Sequence, residues 1–278
     1  MILSIVIPTL GRVSEVRELL KSIELSKIEN LSFEIVIVDQ NFSNLLDPIV
    51  REFTQKGFLI KHFKVDFRGL SKAKNFGLKC AVGKYICFPD DDALFASNTI
   101  VNAVGLLENN MYRVVCGKCM DVNGVDSVKK FSVIPGLLNL SSFEDKFIEA
   151  TMFFRKKCLE DFLYDESLGI GTFHGAEEGF DIVYRMLLAG VEIYYDPCIL
   201  FYHPQVITSH CTNQEIRRVF NYRCGFAKVC LKHSLYLKYF KRLFLVIFYI
   251  PYLLIFKRSN LRYYLAELLG LLAGVVIK

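Results

Sequence analysis

At 278 residues, 53% hydrophobic and with a mean hydropathy of +0.32, the chain can bury a substantial core and must also carry greasy surface outside it. The formal charge of +5 divides unevenly: residues 205–278 hold twelve Lys/Arg against Glu215 and Glu267, net +10, which leaves residues 1–204 at −5. A basic tail interleaved with aromatics suits nucleic acid or an anionic membrane, and its long uncharged runs exclude a phosphate-tracking surface and favour the membrane.

In chain order, Ile2 to Pro8 is a continuous β-rich apolar run closed by Pro-Thr-Leu-Gly, a strand followed by a loop. It lacks the basic start, long apolar core and cleavage site of a signal peptide. Ser14 to Leu25 places Val16, Leu19, Leu20 and Ile23 at helical spacing, with Ser14 as the expected N-cap. "FEIVIV" (33–38) is a second strand ending at Asp39, Pro48 to Lys56 a helix, and Leu59 to Val65 a third strand. Ser71 to Val82 reads as a helix and "KYICF" as a fourth strand, running straight into Asp90, Asp91 and Asp92.

Strands apolar on both faces and separated by helices imply a doubly wound, mostly parallel α/β sheet, whose ligands gather at the carboxyl ends of the strands. Thr9 and Arg12, Asp39, and Asp90 to Asp92 stand at three such ends. A helix from about Asn98 to Asn109 leads to the strand "YRVVCGKCMDV"; the stretch Asn123 to Ser142 has no legible pattern. "EATMFFRKKCL" reads as a strand running into a turn, "GIGTFHGAEEGFDIVYRMLLAG" as a glycine-rich loop entering a helix, and "VEIYYDPCILFYHP" as the last strand. From Ile216 the texture turns basic, and Leu243 to Phe256 is uncharged but short of the roughly 20 residues a bilayer span needs. Two helices lying in or dipping into one leaflet are expected, Leu243 to Phe256 and Leu261 to Ile277; a shallow hairpin or one true span remains the alternative. The boundary falls at 210/211, with 1–210 catalytic and 211–278 a membrane-association segment.

Nine cysteines, odd in number and mostly flanked by apolar residues, read as reduced thiols rather than a disulfide framework. Cys116 and Cys119 have the spacing of redox and zinc pairs, but no second pair answers them and they open no helix.

No Gly-x-Gly-x-x-Gly, P-loop or Gly-x-Ser-x-Gly motif is present, so the chemistry left is that of carboxylates. Asp90 and Asp92, at i and i+2 behind a strand, suit a hard divalent ion such as Mg²⁺ or Mn²⁺ completed by phosphate oxygens; the bland alternative is an acidic turn capping the next helix. A second group, Glu177, Glu178 and Asp181, stands at a helix mouth behind Gly169, Gly171 and Gly175. A carboxylate there stays ionised and can act as a base, or can simply complement the helix dipole.

"SIVIPTLGR", "FEIVIVDQNFS", "RGLSKAKNFGL", "GKYICFPDDDAL" and "GAEEGFDIVYRMLLAG" followed by "IYYDPCILFYHP" resemble, in this order and spacing, the inverting family-2 glycosyltransferases of GT-A fold. Over residues 1–204 they are similar in particular to bacterial enzymes that build O-antigen and other surface polysaccharides. The resemblance implies a nucleotide-sugar donor, UDP-linked by preference, and a polyprenyl-diphosphate-linked glycan acceptor at the cytoplasmic leaflet of the cell membrane. Pro8, Thr9, Arg12 and Asp39 would lie by the nucleotide, Lys74, Asn75, Asp90 and Asp91 along the donor, and Asp92 would ligate the metal, with Asp90 and His203 as further ligands. Glu178 would be the general base, with Glu177 its rival because the doubled Glu shifts the register, and Asp181 would complete the acidic motif. Lys74-Asn75 departs from the Arg-Asn common in the family, and an ammonium lacks the two-pronged fit of a guanidinium. Two rivals stay open: transfer to a polyprenyl phosphate itself, and a non-catalytic nucleotide-sugar-binding scaffold.

Overall fold

Seven consecutive buried residues make β1 (Leu3–Thr9), and β2 (Phe33–Asp39) repeats the pattern with only Phe33 half-buried. Strands apolar on both sides persist only where both faces are covered. Between them, α1 (Val13–Glu24) turns Val16, Leu19, Leu20 and Ile23 inward. The Ser14 cap expected from the sequence does not form: Arg12 takes the cap position without a side-chain bond, and the Ser14 hydroxyl donates to Glu15 instead. Ser14 lies inside the first turn, two residues past the cap position from which a hydroxyl reaches the end amides.

The computed structural model describes residues 1–26, 31–109, 112–205 and 209–277. Next come α2 (Asp47–Gln55), β3 (Ile60–Lys64), α3 (Leu70–Cys80), β4 (Tyr85–Cys87), β5 (Leu94–Phe95), α4 (Thr99–Asn109) and β6 (Val114–Met120). The stretch without a legible pattern supplies only the two-residue β7 (Gly136–Leu137). "EATMFFRKKCL" is a short strand β8 (Phe153–Arg155) that passes directly into a helix, α5 (Lys156–Glu160), where a turn was expected. Then follow α6 (Glu178–Leu188), β9 (Ile193–Tyr202), α7 (Asn213–Lys232), α8 (Tyr236–Phe256) and α9 (Leu261–Val276).

The sheet runs β3-β2-β1-β4-β8-β6-β9-β5, with β7 on β9. β1 is parallel to β2 and β4, and β2 to β3. β8 is antiparallel to both β4 and β6, so its two reversals cancel, and β6 pairs parallel with β9. The carboxyl ends of β1, β2, β4, β6 and β9 therefore share one edge, which is what brings Thr9, Asp39, Asp90, Asp121 and His203 to the same side. Cys116 and Cys119 are buried on β6, and burial pushes both thiols up to about 12, the behaviour of core residues rather than of a redox or zinc pair.

Toward the opposite, amino-terminal ends of these strands, fully buried Glu34 on β2 accepts from Ser4 Oγ at 2.6 Å and the Val82 amide at 2.7 Å and pairs with Lys61 at 2.8 Å. Burial pushes this carboxyl up, but Lys61, Ser4 and Val82 outweigh it and hold it below its ordinary value. A carboxyl lowered by folding stabilises above its unfolded pKa and loses that contribution as pH falls through the folded one. Glu34→Gln is expected to cost about 1.5–3 kcal/mol at neutral pH and to flatten the acid limb of a denaturation-versus-pH series. Equal slopes for wild type and variant below pH 5 or so would refute the assignment.

The chain divides into two compact units: Met1–Phe67, Lys72–Leu163 and Ile182–Val206 hold the sheet, while Arg68–Ser71, Tyr164–Asp181 and Ile207–Lys278 form the second. In the second, a Thr212/Glu215 capping box starts α7. α8 begins at Tyr236, seven residues before the apolar run, and continues through Pro251. Only Tyr239, Val246 and Leu253 are buried along it, a single seam at seven-residue spacing. Among the described residues it is the one helix long and apolar enough, by length and composition, to cross a membrane.

Candidate active site

Asp39, at the end of β2, is fully buried. Its Oδ1 accepts from the Asn41 amide at 2.9 Å and side chain at 2.7 Å, and its Oδ2 lies 2.9 Å from His62 Nε2. Asn41 Oδ1 in turn accepts from the Gly11 amide at 2.7 Å, which ties the loop after β1 to the loop after β2. A carboxylate fixed by three donors is a rigid acceptor wall. Asn41 and His62 escape a reading by motifs: the first is two residues beyond Asp39 in an Asx turn, the second a polar interruption in β3.

At the end of β1, Thr9 Oγ1 donates to Asp91 Oδ2 at 2.8 Å. Arg12 pairs with Asp92 and reaches Asp91 at 3.5 Å, and the other Asp92 oxygen lies 3.6 Å from His203 Nε2. Burial pushes the Asp91 carboxyl up to about 6, against the Thr9 hydroxyl and the Arg12 charge. Burial likewise raises Asp90; Lys74 opposes the shift, while Glu149 and Asp92 add to it. Asp91, the middle aspartate, is thus the one bonded to Thr9, and Asp92 is the one that faces His203. Next to Asp92 and His203 lies a cavity of about 600 Å³, lined also by Ser14, Glu15, Asp121 and Gln205. Gln205 Nε2 donates to Asp121 Oδ2 at 3.0 Å.

Asp90, Asp92 and the His203 imidazole, within electrostatic reach of one another, are donor chemistry for a hard divalent ion. Among the described residues no three such side chains close around an ion by themselves. The donors present fit an ion whose remaining ligands come from a bound phosphate.

Lys74 and Asn75, on α3, are both buried. The Lys74 ammonium donates to Glu149 Oε1 at 2.6 Å, a partner that lies 75 residues away and has no sequence signal.

Glu177, Glu178 and Asp181 belong to the second unit or its edge. Glu177 has a left-handed backbone, φ +73°, rare and strained for a residue with a side chain. Glu178 opens α6 nine-tenths buried, and a side chain at Gly169 would meet its carboxyl at 3.2 Å and Ser71 Oγ at 2.9 Å. Asp181, fully buried, is held by Lys232 at 2.7 Å and His233 Nε2 at 2.8 Å. Neither Lys232, at the end of α7, nor His233, just past it, carries a local sequence signal, because the pairing spans more than fifty residues.

The family model for glycosyl transferase family 2 matches residues 4–170. The poly(ribitol-phosphate) beta-N-acetylglucosaminyltransferase TarS of Staphylococcus aureus is 26% identical over 122 residues, 44% of this chain and 21% of that protein. The crystal structure of TarS residues 1–349 in complex with UDP superposes with a TM-score of 0.64 at 21% identity, covering 83% of this chain and 66% of that one. A Campylobacter jejuni GalNAc(5)-diNAcBac-PP-undecaprenol beta-1,3-glucosyltransferase is 29% identical over 132 residues, 47% of this chain and 42% of the relative. The mannosyltransferase PcManGT of Pyrobaculum calidifontis, in complex with GDP-Man and Mn²⁺, superposes with a TM-score of 0.60 at 19% identity, covering 81% of this chain and 63% of that one. The chain spans about a fifth of the length of the curated relatives it first matches. With its sheet of GT-A architecture and a family match across more than half its length, this chain belongs to glycosyl transferase family 2.

Proposed function

We propose that the protein is an inverting glycosyltransferase that moves a sugar from a UDP-linked donor to a hydroxyl of a lipid-linked glycan in surface-polysaccharide assembly, at the cytoplasmic face of the cell membrane. The observation that carries this reading is the convergence of Thr9, Arg12, Asp91, Asp92 and His203 at one sheet edge in a family-2 chain. The lipid-linked acceptor is supported by the likeness to the Campylobacter enzyme, the UDP donor by the likeness to TarS, and the divalent ion by the likeness to PcManGT. Residues 1–210 carry the catalysis in this reading and 211–278 the membrane association.

Asp39 accepts from the base ring of the nucleotide, its acceptor atoms already oriented by Asn41 and His62. Pro8, Thr9 and Arg12 line the nucleotide, and Lys74, Asn75, Asp90 and Asp91 lie along the donor. Asp92, with Asp90 and His203, would hold Mg²⁺ or Mn²⁺, which would supply charge neutralisation for a departing diphosphate. Glu178 takes the proton of the acceptor hydroxyl as that oxygen bonds to the anomeric carbon and the bond from that carbon to the diphosphate breaks, inverting the centre. Asp181, committed to Lys232 and His233, anchors the turn on which Glu178 stands. Positioning and charge stabilisation carry most of the rate, because the leaving group departs readily.

The test is calorimetric binding of UDP, dTDP and GDP to detergent-purified protein with Mn²⁺ or chelator, beside Asp92→Asn. One nucleotide is expected to bind at least about tenfold more tightly with the ion, and the variant to lose that difference. Binding of none of the three under any condition would overturn the reading.

A further inference from the structure

Helix α7 carries two sets of contacts on two faces. Asn221, Gly225, Lys228 and Lys232, spaced at helical turns, all meet the segment that leads to Glu178. The Gly175 amide donates to the Asn221 carbonyl at 3.0 Å, and a side chain at Gly225 would meet the Ala176 carbonyl at 2.6 Å. Lys228 Nζ lies 3.5 Å from His174 Nδ1, and Lys232 bonds both Asp165 and Asp181 at 2.7 Å. On the other face, α9 presses Gly270 and Gly274 against the carbonyls of Phe220 and Cys224, so closely that a methyl at either glycine would strike them. Fully buried Glu267 of α9 accepts from Arg223 of α7 at 2.6 Å and from Arg242 of α8 at 2.7 Å, which binds the three helices together.

A direct tie also exists. His174 is buried within the glycine-rich loop, and its Nε2 lies 3.2 Å from the carbonyl of Ile277, just past the end of α9. With Lys228 donating to Nδ1, the ring carries its hydrogen on Nε2 and donates it to Ile277. One imidazole thus clamps the end of the last helix to the loop four residues before Glu178.

The outer surface of these helices is built for lipid. Leu237, Phe248, Ile255 and Phe256 are 89%, 75%, 70% and 67% exposed, and α8 is apolar around nearly its whole circumference. Arg217, Arg218, Lys241, Lys257, Arg258 and Arg262 are exposed on the same helices and their connections, and the helices' acids offset little of that charge: Glu215 is engaged in its cap and Glu267 is buried. Exposed apolar surface on helices that also carry unbalanced cations matches an anionic bilayer face.

We propose that His174 is a positioning residue for Glu178, and that α7 and His174 transmit the seating of α8 and α9 in an anionic lipid surface to the glycine-rich loop, so that lipid raises turnover and leaves donor binding unchanged. This rests on Glu178 as the base. Seating restrains α9, α9 restrains Ile277 and the α7 face, and the loop that orients Glu178 loses freedom.

The test compares phosphatidylglycerol with phosphatidylcholine vesicles, reading amide exchange over residues 169–178, co-sedimentation, and nucleoside diphosphate release. Phosphatidylglycerol is expected to slow exchange in the loop and raise kcat about fivefold or more at constant donor KM. His174→Ala is expected to sediment with the vesicles as wild type does, yet lose both responses, and His174→Gln, whose amide can still donate to Ile277, to recover them in part. His174→Phe, which keeps a ring of similar size without a donor, provides a second route to the same break should His174→Ala fold poorly. Loop exchange identical with and without bound vesicles, or a full response in His174→Ala, overturns the coupling. Failure to bind anionic vesicles overturns it together with the membrane role, whereas loss of nucleotide binding in solution strikes the transferase reading instead.

Discussion

Glu178→Gln is expected to lower sugar transfer by about 100- to 10,000-fold while UDP binding and the unfolding midpoint stay near wild type. The amide keeps the volume and one acceptor oxygen but cannot take a proton. The residue stands in the first turn of α6, where the helix dipole favours a carboxylate, and it is largely buried with its carboxyl beside Gly169. Glu177 offers the contrast that resolves the doubled Glu. Its left-handed backbone is tolerated more readily by glycine, so Glu177→Gly is expected to hold or raise stability and to retain most activity. The measurement is nucleoside diphosphate release in membranes that supply the acceptor, with kcat and donor KM resolved. A hundredfold loss in Glu177→Gly with near-normal Glu178→Gln would exchange the two assignments.

How far the molecule was legible in its sequence follows from the range of each interaction. The buried runs of β1 and β2 and the inward stripe of α1 are local patterns, and the doubly wound sheet followed from them. Strand ends carry polar residues visible one at a time, so Thr9, Arg12, Asp39 and Asp90 to Asp92 could be named before their distances were known. The Ser14 cap failed by two residues because a cap depends on where the last non-helical torsion falls, which side-chain type does not fix. α5 was missed for its brevity, and Asn123 to Ser142 because it is held by loop contacts, such as the Asp121 amide donating to the Val125 carbonyl, rather than by periodicity. The apolar run from Leu243 understated α8, since Tyr236 to Arg242 is helical by structure and charged only in part. Partners distant in sequence were wholly silent: Glu149 for Lys74, Lys232 and His233 for Asp181, Ile277 for His174.

Lys74 is where that silence has the largest energetic consequence. Read from its motif, it is a cation that meets the donor; in the fold it is 2% exposed and paired at 2.6 Å with Glu149, itself only 12% exposed. Breaking a buried pair by removing one member strands the other charge, which costs about 3–5 kcal/mol, whereas replacing both is often nearly neutral. Lys74→Met is therefore expected to be among the most destabilising single changes in the sheet unit, and Lys74→Met with Glu149→Gln to recover most of the loss in denaturant unfolding. Nucleotide binding separates the two roles of the same ammonium. Lys74 also opposes the burial-driven rise of Asp90, so it bears on the acidic cluster as well as on Glu149. If its charge serves the donor, the double variant regains stability but still binds UDP at least about tenfold more weakly than wild type, a loss of about 1.4 kcal/mol. Recovery of both stability and binding in the double variant would make Lys74 a structural cation alone, and the departure from arginine at this position would then reflect the space beside Glu149 rather than the geometry of a phosphate.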